Sequence, residues 1–398
     1  MNAQNILDQV DVERIYNHVL KLEGERHPLR TPERLRCAAE YIRQQLADSG
    51  VSVRLQEFGV PGHDDTFYNV EGWTGEESEP AAALLSHYDT YYKAAGANDN
   101  AAAVAVTLEI ARVFSTLPHA PATRFLSFTL EETNPALQSK VFHSAWTNGV
   151  MDADLRYTSH QVSGIMSRYW RSAWGVWKQG SMPYSAALAQ AATQTRQAAP
   201  IPPHLWQHMR EIEDIYEGVL VSNGNLCHLG SHTWVNEALA SGRKIKYAIC
   251  LDEIGATDMR EGSQRMFPGL SYDMLKLHRV EPEKRIGNWA FIVTDGRATR
   301  LGSVFCAHAA SPEIDLPYAY LHLPLNFEQI LQFSPQALGS DHAPFWKAGI
   351  PALALIDTAA LRSPFGHTLA DTIDRLDFAQ IERICKTTLA TLLDTEAD

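Results

Sequence analysis

Apolar residues recur every three or four positions over residues 12–22 and 31–49, the spacing of one buried helix face. Thr31-Pro32-Glu33 predicts the start of the second helix, with proline tolerated in its first turn. Residues 51–58 and 68–73 alternate apolar with polar, which predicts strands. Residues 81–86 form an uninterrupted small apolar run, as in a strand covered on both faces. Helical spacing returns over 101–114 and a strand pattern over 124–130. This alternation predicts an α/β fold, with a mixed, mostly parallel central sheet flanked by helices.

The grammar then changes. Residues 134–228 are rich in Trp, Tyr, Ala, Gln and Ser. Trp170, Trp174 and Trp177 are spaced to share one helix face, residues 185–196 are strong helix formers, and residues 204–216 look helical again. We expect a mostly helical insertion over 134–228, acting as a lid or a dimerisation subdomain. The main domain comprises residues 1–133 and 229–398. In its second part, 232–241 suits a helix, 246–251, 289–294, 318–323 and 351–356 suit strands, and 378–393 suits a closing helix.

The chemistry collects where predicted strands end. The strand over 81–86 runs straight into His87-Tyr88-Asp89. A metal-binding imidazole commonly gives its other ring nitrogen to a carboxylate, and Asp89 is placed to be that partner. Asp99 follows in Gly96-Ala97-Asn98-Asp99-Asn100, where a plain helix N-cap is the competing explanation. Glu131-Glu132 follows the next strand, Asp252-Glu253 a later one, and His367 and Asp371 the last. Adjacent carboxylates repel unless a cation neutralises one, which frees the other to act as an ionised base. Imidazoles with carboxylates suit zinc. Two divalent cations would be balanced by Asp99, Glu132, Asp252 and one hydroxide, the condition of a two-metal hydrolytic site.

The ordered set of motifs resembles the M28 family of di-zinc aminopeptidases and its relatives. The matching pieces are His87-Tyr88-Asp89, Gly96-Ala97-Asn98-Asp99-Asn100, Glu131-Glu132, Gly230-Ser231, Leu251-Asp252, Ser340-Asp341-His342-Ala343-Pro344-Phe345, Gly349-Ile350-Pro351-Ala352, and His367-Thr368 with Asp371-Thr372. The resemblance implies two Zn2+ ions per chain. His87 and Asp252 would hold one, Glu132 and His367 the other, and Asp99 would bridge them. It makes Glu131 the general base, Asp89 the residue that orients His87, and Asp341 a supporting or pocket residue. The implied activity is an aminopeptidase, or a specialised amidohydrolase, acting on a small peptide or aminoacyl amide with a free amino group. Two alternatives stand beside it. One is a single-zinc glutaminyl cyclase-like enzyme; the other is a non-catalytic binding protein on the same fold.

Two departures from the family pattern stand out. Gly366 occupies the position before the last histidine, where family members often place a tyrosine that helps hold the oxyanion; Tyr91, Tyr272 or an insertion residue could replace it. The long excursion also separates Glu131-Glu132 from Gly230-Ser231, which the family keeps close together.

Composition narrows the setting. The net charge of −13 and the absence of a clustered basic patch exclude an obvious nucleic-acid partner. No stretch approaches the roughly 18–20 apolar residues that span a bilayer, and the polar start lacks a signal-peptide pattern, so a cytoplasmic enzyme is expected. Cys37, Cys227, Cys250, Cys306 and Cys385 are scattered, which argues against a disulfide framework or thiolate zinc site. Self-association through the insertion is the expected route to any homo-oligomer.

Overall fold

The computed structural model describes residues 3–177, 182–219, 226–267, 269–394 and 397. Its strands are β1 Ser52–Gly59, β2 Thr66–Thr74, β3 Ala81–His87, β4 Thr123–Phe128, β5 Ile245–Leu251, β6 Lys276–His278, β7 Ala290–Thr294, β8 Tyr318–His322 and β9 Ala352–Ile356. Its helices are α1 Ala3–Leu7, α2 Val12–Leu22, α3 Pro32–Asp48, α4 Ala102–Ser115, α5 Pro135–Thr147, α6 His160–Trp177, α7 Tyr184–Ala198, α8 Pro203–Ile215, α9 Leu229–Ala240, α10 Thr299–Ala309, α11 Phe327–Phe333, α12 His342–Lys347, α13 Ala359–Arg362 and α14 Phe378–Leu393.

The strands form one mixed sheet in the order β1-β2-β4-β3-β5-β9-β7-β8-β6. Its centre, β4-β3-β5-β9, is parallel, as is the β7-β8 pair. Antiparallel pairings join β1-β2-β4 at one edge and link β9 to β7 and β8 to β6 toward the other. The flanked α/β sheet is the expected class. β4 lies on one side of β3 and β5 on the other, so the loops leaving these strands diverge. That divergence opens a crevice at the carboxyl ends, the usual ligand position in such sheets.

Strand periodicity divides the core between the two faces. Leu84, Leu251, Leu353 and Leu355 join the cluster built with α2, α3, α4, α10 and α14. Leu85, Ala248, Cys250 and Ala352 join the cluster built with α9, α11 and α12. β3 is buried along its whole length, which accounts for its apolar run from Ala81 to Leu85.

Helices α5–α8 pack around a third apolar cluster that includes Val141, Ile165, Tyr169, Leu188 and Met209, with Leu29 and Tyr92 from outside the excursion packed against it. Residues 178–181 and 220–225 of this stretch lie outside the described residues. The tryptophan face is only partly buried: Trp177 is inside, whereas Trp174 is 41% exposed and stacks on it. Cys250, Cys306 and Cys385 are buried core residues, whereas Cys37 is exposed and Cys227 half-buried. No helix among the described residues is long and apolar enough to cross a membrane.

Candidate metal centre

Four strand ends and one intervening loop converge in the crevice. His87 is the last residue of β3 and is almost fully buried. Its Nε2 lies 3.2 Å from Asp252 Oδ1, just beyond β5, and 3.3 Å from Asp99 Oδ1. Its Nδ1 faces Asp89 Oδ1 at 3.5 Å. The other Asp99 oxygen, Oδ2, lies 3.0 Å from His367 Nε2, and His367 Nε2 lies 3.5 Å from Glu132 Oε1. Donor atoms of His87, Glu131 and Asp252 lie within 4.8 Å of one another, as do those of His87, Asp99 and Glu132. Asp99 thus presents one oxygen to each histidine, and all six side chains named as ligands or base are brought together.

Local sequence explains how each is held. Leu130 adopts a left-handed conformation, φ 57°, and turns the chain beyond β4. Asp89 does more than face His87: its two oxygens accept the backbone N–H of Glu131 and of Glu132, each at 3.1 Å. One carboxylate therefore holds the backbone of the acidic pair and faces the imidazole, whose Nδ1 makes no hydrogen bond. Asn98 and Asn100 tie the Asp99 loop to the chain beyond β5. The Asn98 amide donates to Asp357 and accepts from the Gly255 N–H, while the Asn100 amide donates to the Leu251 carbonyl. Asp371 accepts the N–H of Asn98 and of Asp99, so it holds the Asp99 loop. Gly96 has φ 65°, and a Cβ there would stand 2.3 Å from Thr90 Cγ2.

The Gly-Ser and Ser-Asp-His motifs also meet, since Ser231 Oγ donates to Asp341 Oδ1. Asp341 Oδ2 is buried without a hydrogen bond. At Gly230 a Cβ would lie 2.2 Å from the Thr129 carbonyl oxygen, so only glycine lets α9 dock this closely on the loop after β4.

Sequence patterns did not single out three supporting residues. Arg26, buried between α2 and α3, donates to the carbonyls of Tyr88 and Gly96 and so clamps the His87 and Asp99 loops together. Asn69 on β2 accepts the Thr129 N–H and donates to the Gly230 carbonyl. His228 approaches Glu131, Nε2 to Oε1, at 3.0 Å. A basic residue in a short polar connection between helices was the one available signal for Arg26; Asn69 and His228 carried none. Of the alternative oxyanion donors, Tyr91 stacks on His367 at 4.5 Å between ring centroids, whereas Tyr272 packs edge-on against Trp289. Glu253 Oε1 lies 3.5 Å from where a Gly366 side chain would begin.

The donor set fits zinc. Two imidazoles and three carboxylates are the nitrogen and oxygen ligands it prefers, and Glu132 Oε1 is buried with no hydrogen bond. Burial pushes the Glu131 and Glu132 carboxyls well above their ordinary range, and the neighbouring carboxylates add to the effect. Burial alone would raise Asp99 too, but its bonds to His367 and His87 hold it below the ordinary carboxylate value. Three more groups are shifted into the neutral range. Burial raises Asp341 and Asp357 to about 7. Desolvation at the crevice opposes charge on the half-exposed His367, yet its bond to Asp99 brings it to about 8.

Groups raised in the fold contribute stability at low pH and lose it as pH rises through their folded values. Buried histidines lowered to about 4, such as His27 and His342, act in the opposite sense, but only below the ordinary imidazole value of 6.5. Between about pH 7 and 8.5 the metal-stripped chain is therefore expected to melt at progressively lower temperature. Zinc favours the ionised carboxylates and should flatten that slope. Melting curves recorded with chelator and with zinc across this window measure both effects.

Comparison with known proteins now bears on this geometry. The model of peptidase family M28 matches residues 69–200 and 290–392, more than half of the chain. The chain belongs to peptidase family M28. A 144-residue segment is 30% identical to Escherichia coli K12 protein YfbL; it covers 36% of this M28 chain and only 39% of YfbL. The fold resembles the Legionella pneumophila LapA aminopeptidase with a TM-score of 0.58 and 13% identity, covering 100% of this chain and 75% of LapA. It also resembles the Porphyromonas gingivalis glutaminyl cyclase with a TM-score of 0.55 and 16% identity, covering 97% and 98% of the two chains.

Proposed function

We propose that this M28 protein is a di-zinc hydrolase that cleaves an amide bond beside a free amino group on a small substrate. The observation that carries the proposal is Asp99, whose two oxygens face His87 and His367 separately. A carboxylate shared in that way suits two cations better than one. His87 and Asp252 would hold one ion, Glu132 and His367 the other. Bound there, the ions would polarise the substrate carbonyl and make water acidic enough to supply hydroxide near neutral pH.

The chain's own residues do the rest. Glu131 takes the proton from the attacking water and delivers it to the departing nitrogen. Its burial among other carboxylates raises its basicity toward the value that such a relay needs. Asp89 keeps His87 and the Glu131-Glu132 backbone in fixed relation during that transfer. The surplus of carboxylates, with Glu253 beside Asp99, Asp252 and His367, favours a substrate ammonium group. Tyr91, lying flat on His367, gives the site an aromatic edge. The excursion over α5–α8 supports a small substrate, because its apolar cluster packs on Tyr92, the neighbour of Tyr91.

A panel of aminoacyl amides, dipeptides and their N-acetylated counterparts tests the proposal. Free-amine substrates should be hydrolysed, and N-acetylation should abolish most turnover. Equal or faster cleavage of the acetylated compounds would contradict it. An N-terminal glutaminyl peptide belongs in the panel, since ring closure with ammonia release would identify a cyclase.

A further inference from the structure

Where the chain returns from its excursion it delivers another histidine to the site. His228 precedes α9 in a left-handed conformation, φ 59°. Its backbone N–H donates to the Glu131 carbonyl at 2.9 Å, and those of Leu229 and Gly230 donate to Leu130 and Thr129. Donors that a helix start leaves unpaired are thus spent on the loop that carries Glu131. This docking sets the buried imidazole against the base, with Nε2 3.0 Å from Glu131 Oε1 and the two side chains 6% and 8% exposed. On the other side of the ring, Nδ1 lies 3.6 Å from Cys227 Sγ.

We infer that His228 is a positioning residue, whose Nε2–H holds the Glu131 carboxylate in its working orientation while the Cys227 thiol donates to Nδ1 and fixes that tautomer. The inference rests on Glu131 being the base, as proposed above. Burial, reinforced by the nearby carboxylates, keeps the Cys227 thiol protonated, so it is a donor. Burial, with His232, His342 and His87 nearby, keeps His228 neutral. A neutral imidazole that accepts at Nδ1 must carry its hydrogen on Nε2, where Glu131 waits. A neutral donor also aims a carboxylate without the loss of basicity that a cationic partner would impose.

The test is a mutant cycle on the zinc-loaded full chain: wild type, His228→Phe, Glu131→Gln and the double variant, with His228→Gln as the conservative control. His228→Phe should lower kcat by about 10- to 100-fold, the usual cost of losing an orienting partner. KM and zinc content should stay unchanged. In the Glu131→Gln background the same change should cost almost nothing, and His228→Gln, which keeps a donor, should retain most of the rate. A loss carried undiminished into the Glu131→Gln background, or equal damage from Phe and Gln, would overturn the inference. Should the wild type hydrolyse nothing in the panel, the function proposal fails, and nitrogen NMR of the labelled imidazole decides separately. A neutral Nε2–H tautomer whose signal moves in Glu131→Gln is expected; an Nδ1–H tautomer, or a signal indifferent to that change, would overturn it.

Discussion

Glu131→Gln should lower kcat by about 10³-fold while leaving zinc content and KM nearly unchanged, within the range of about 10²–10⁴ for a lost general base. The two side chains have the same shape, and the backbone N–H of residue 131 still reaches Asp89. What disappears is the ability to accept a proton. A fall in kcat with KM preserved marks an interaction used in the transition state rather than in binding. Steady-state kinetics on an aminoacyl amide, paired with metal analysis of the same samples, reads out the result. A variant within tenfold of wild type would remove Glu131 from the role of base.

Asp99→Ala should abolish activity through a different route, by losing metal. The carboxylate that faces both histidines would be gone, leaving each ion short of a ligand. The loop itself should survive. Asn98, Asn100 and the Asp371 carboxylate hold its backbone, and none of those bonds uses the Asp99 side chain. The expected outcome is a folded chain with at most one weakly held ion and turnover below about one-thousandth of wild type. Circular dichroism and zinc analysis check the two halves of that statement. A variant that retains both ions would show that Asp99 does not bridge.

Much of this was legible in the sequence for a physical reason. A strand buried on both faces is mostly apolar, so the polar residues where its apolar run stops mark its carboxyl end. His87 ends β3, and Glu131-Glu132 and Asp252 follow β4 and β5. Helices α2 and α14 fall where their apolar spacing put them, and Asp11 and Asp377 cap them by accepting N–H groups of the first turn. The pattern could not reveal what depends on non-local contact. The three-residue β6 lies at a sheet edge, too short to show a period. Asp89 was assigned to His87 alone, because its bonds to Glu131 and Glu132 exist only once β3 and β4 pair. Asp371 lies four residues after His367, yet it holds the backbone of Asn98 and Asp99. The contact of His228 with Glu131 crosses the entire excursion, and no local signal announces it. Gly366 removed an expected side chain beside His367, and only the fold shows that Glu253 borders that space.

Zinc titration of the metal-stripped chain, followed by elemental analysis, tests the two-cation site most directly. The predicted result is two ions per chain, in both wild type and Glu131→Gln. A stoichiometry of one or none in the active, folded protein would contradict it.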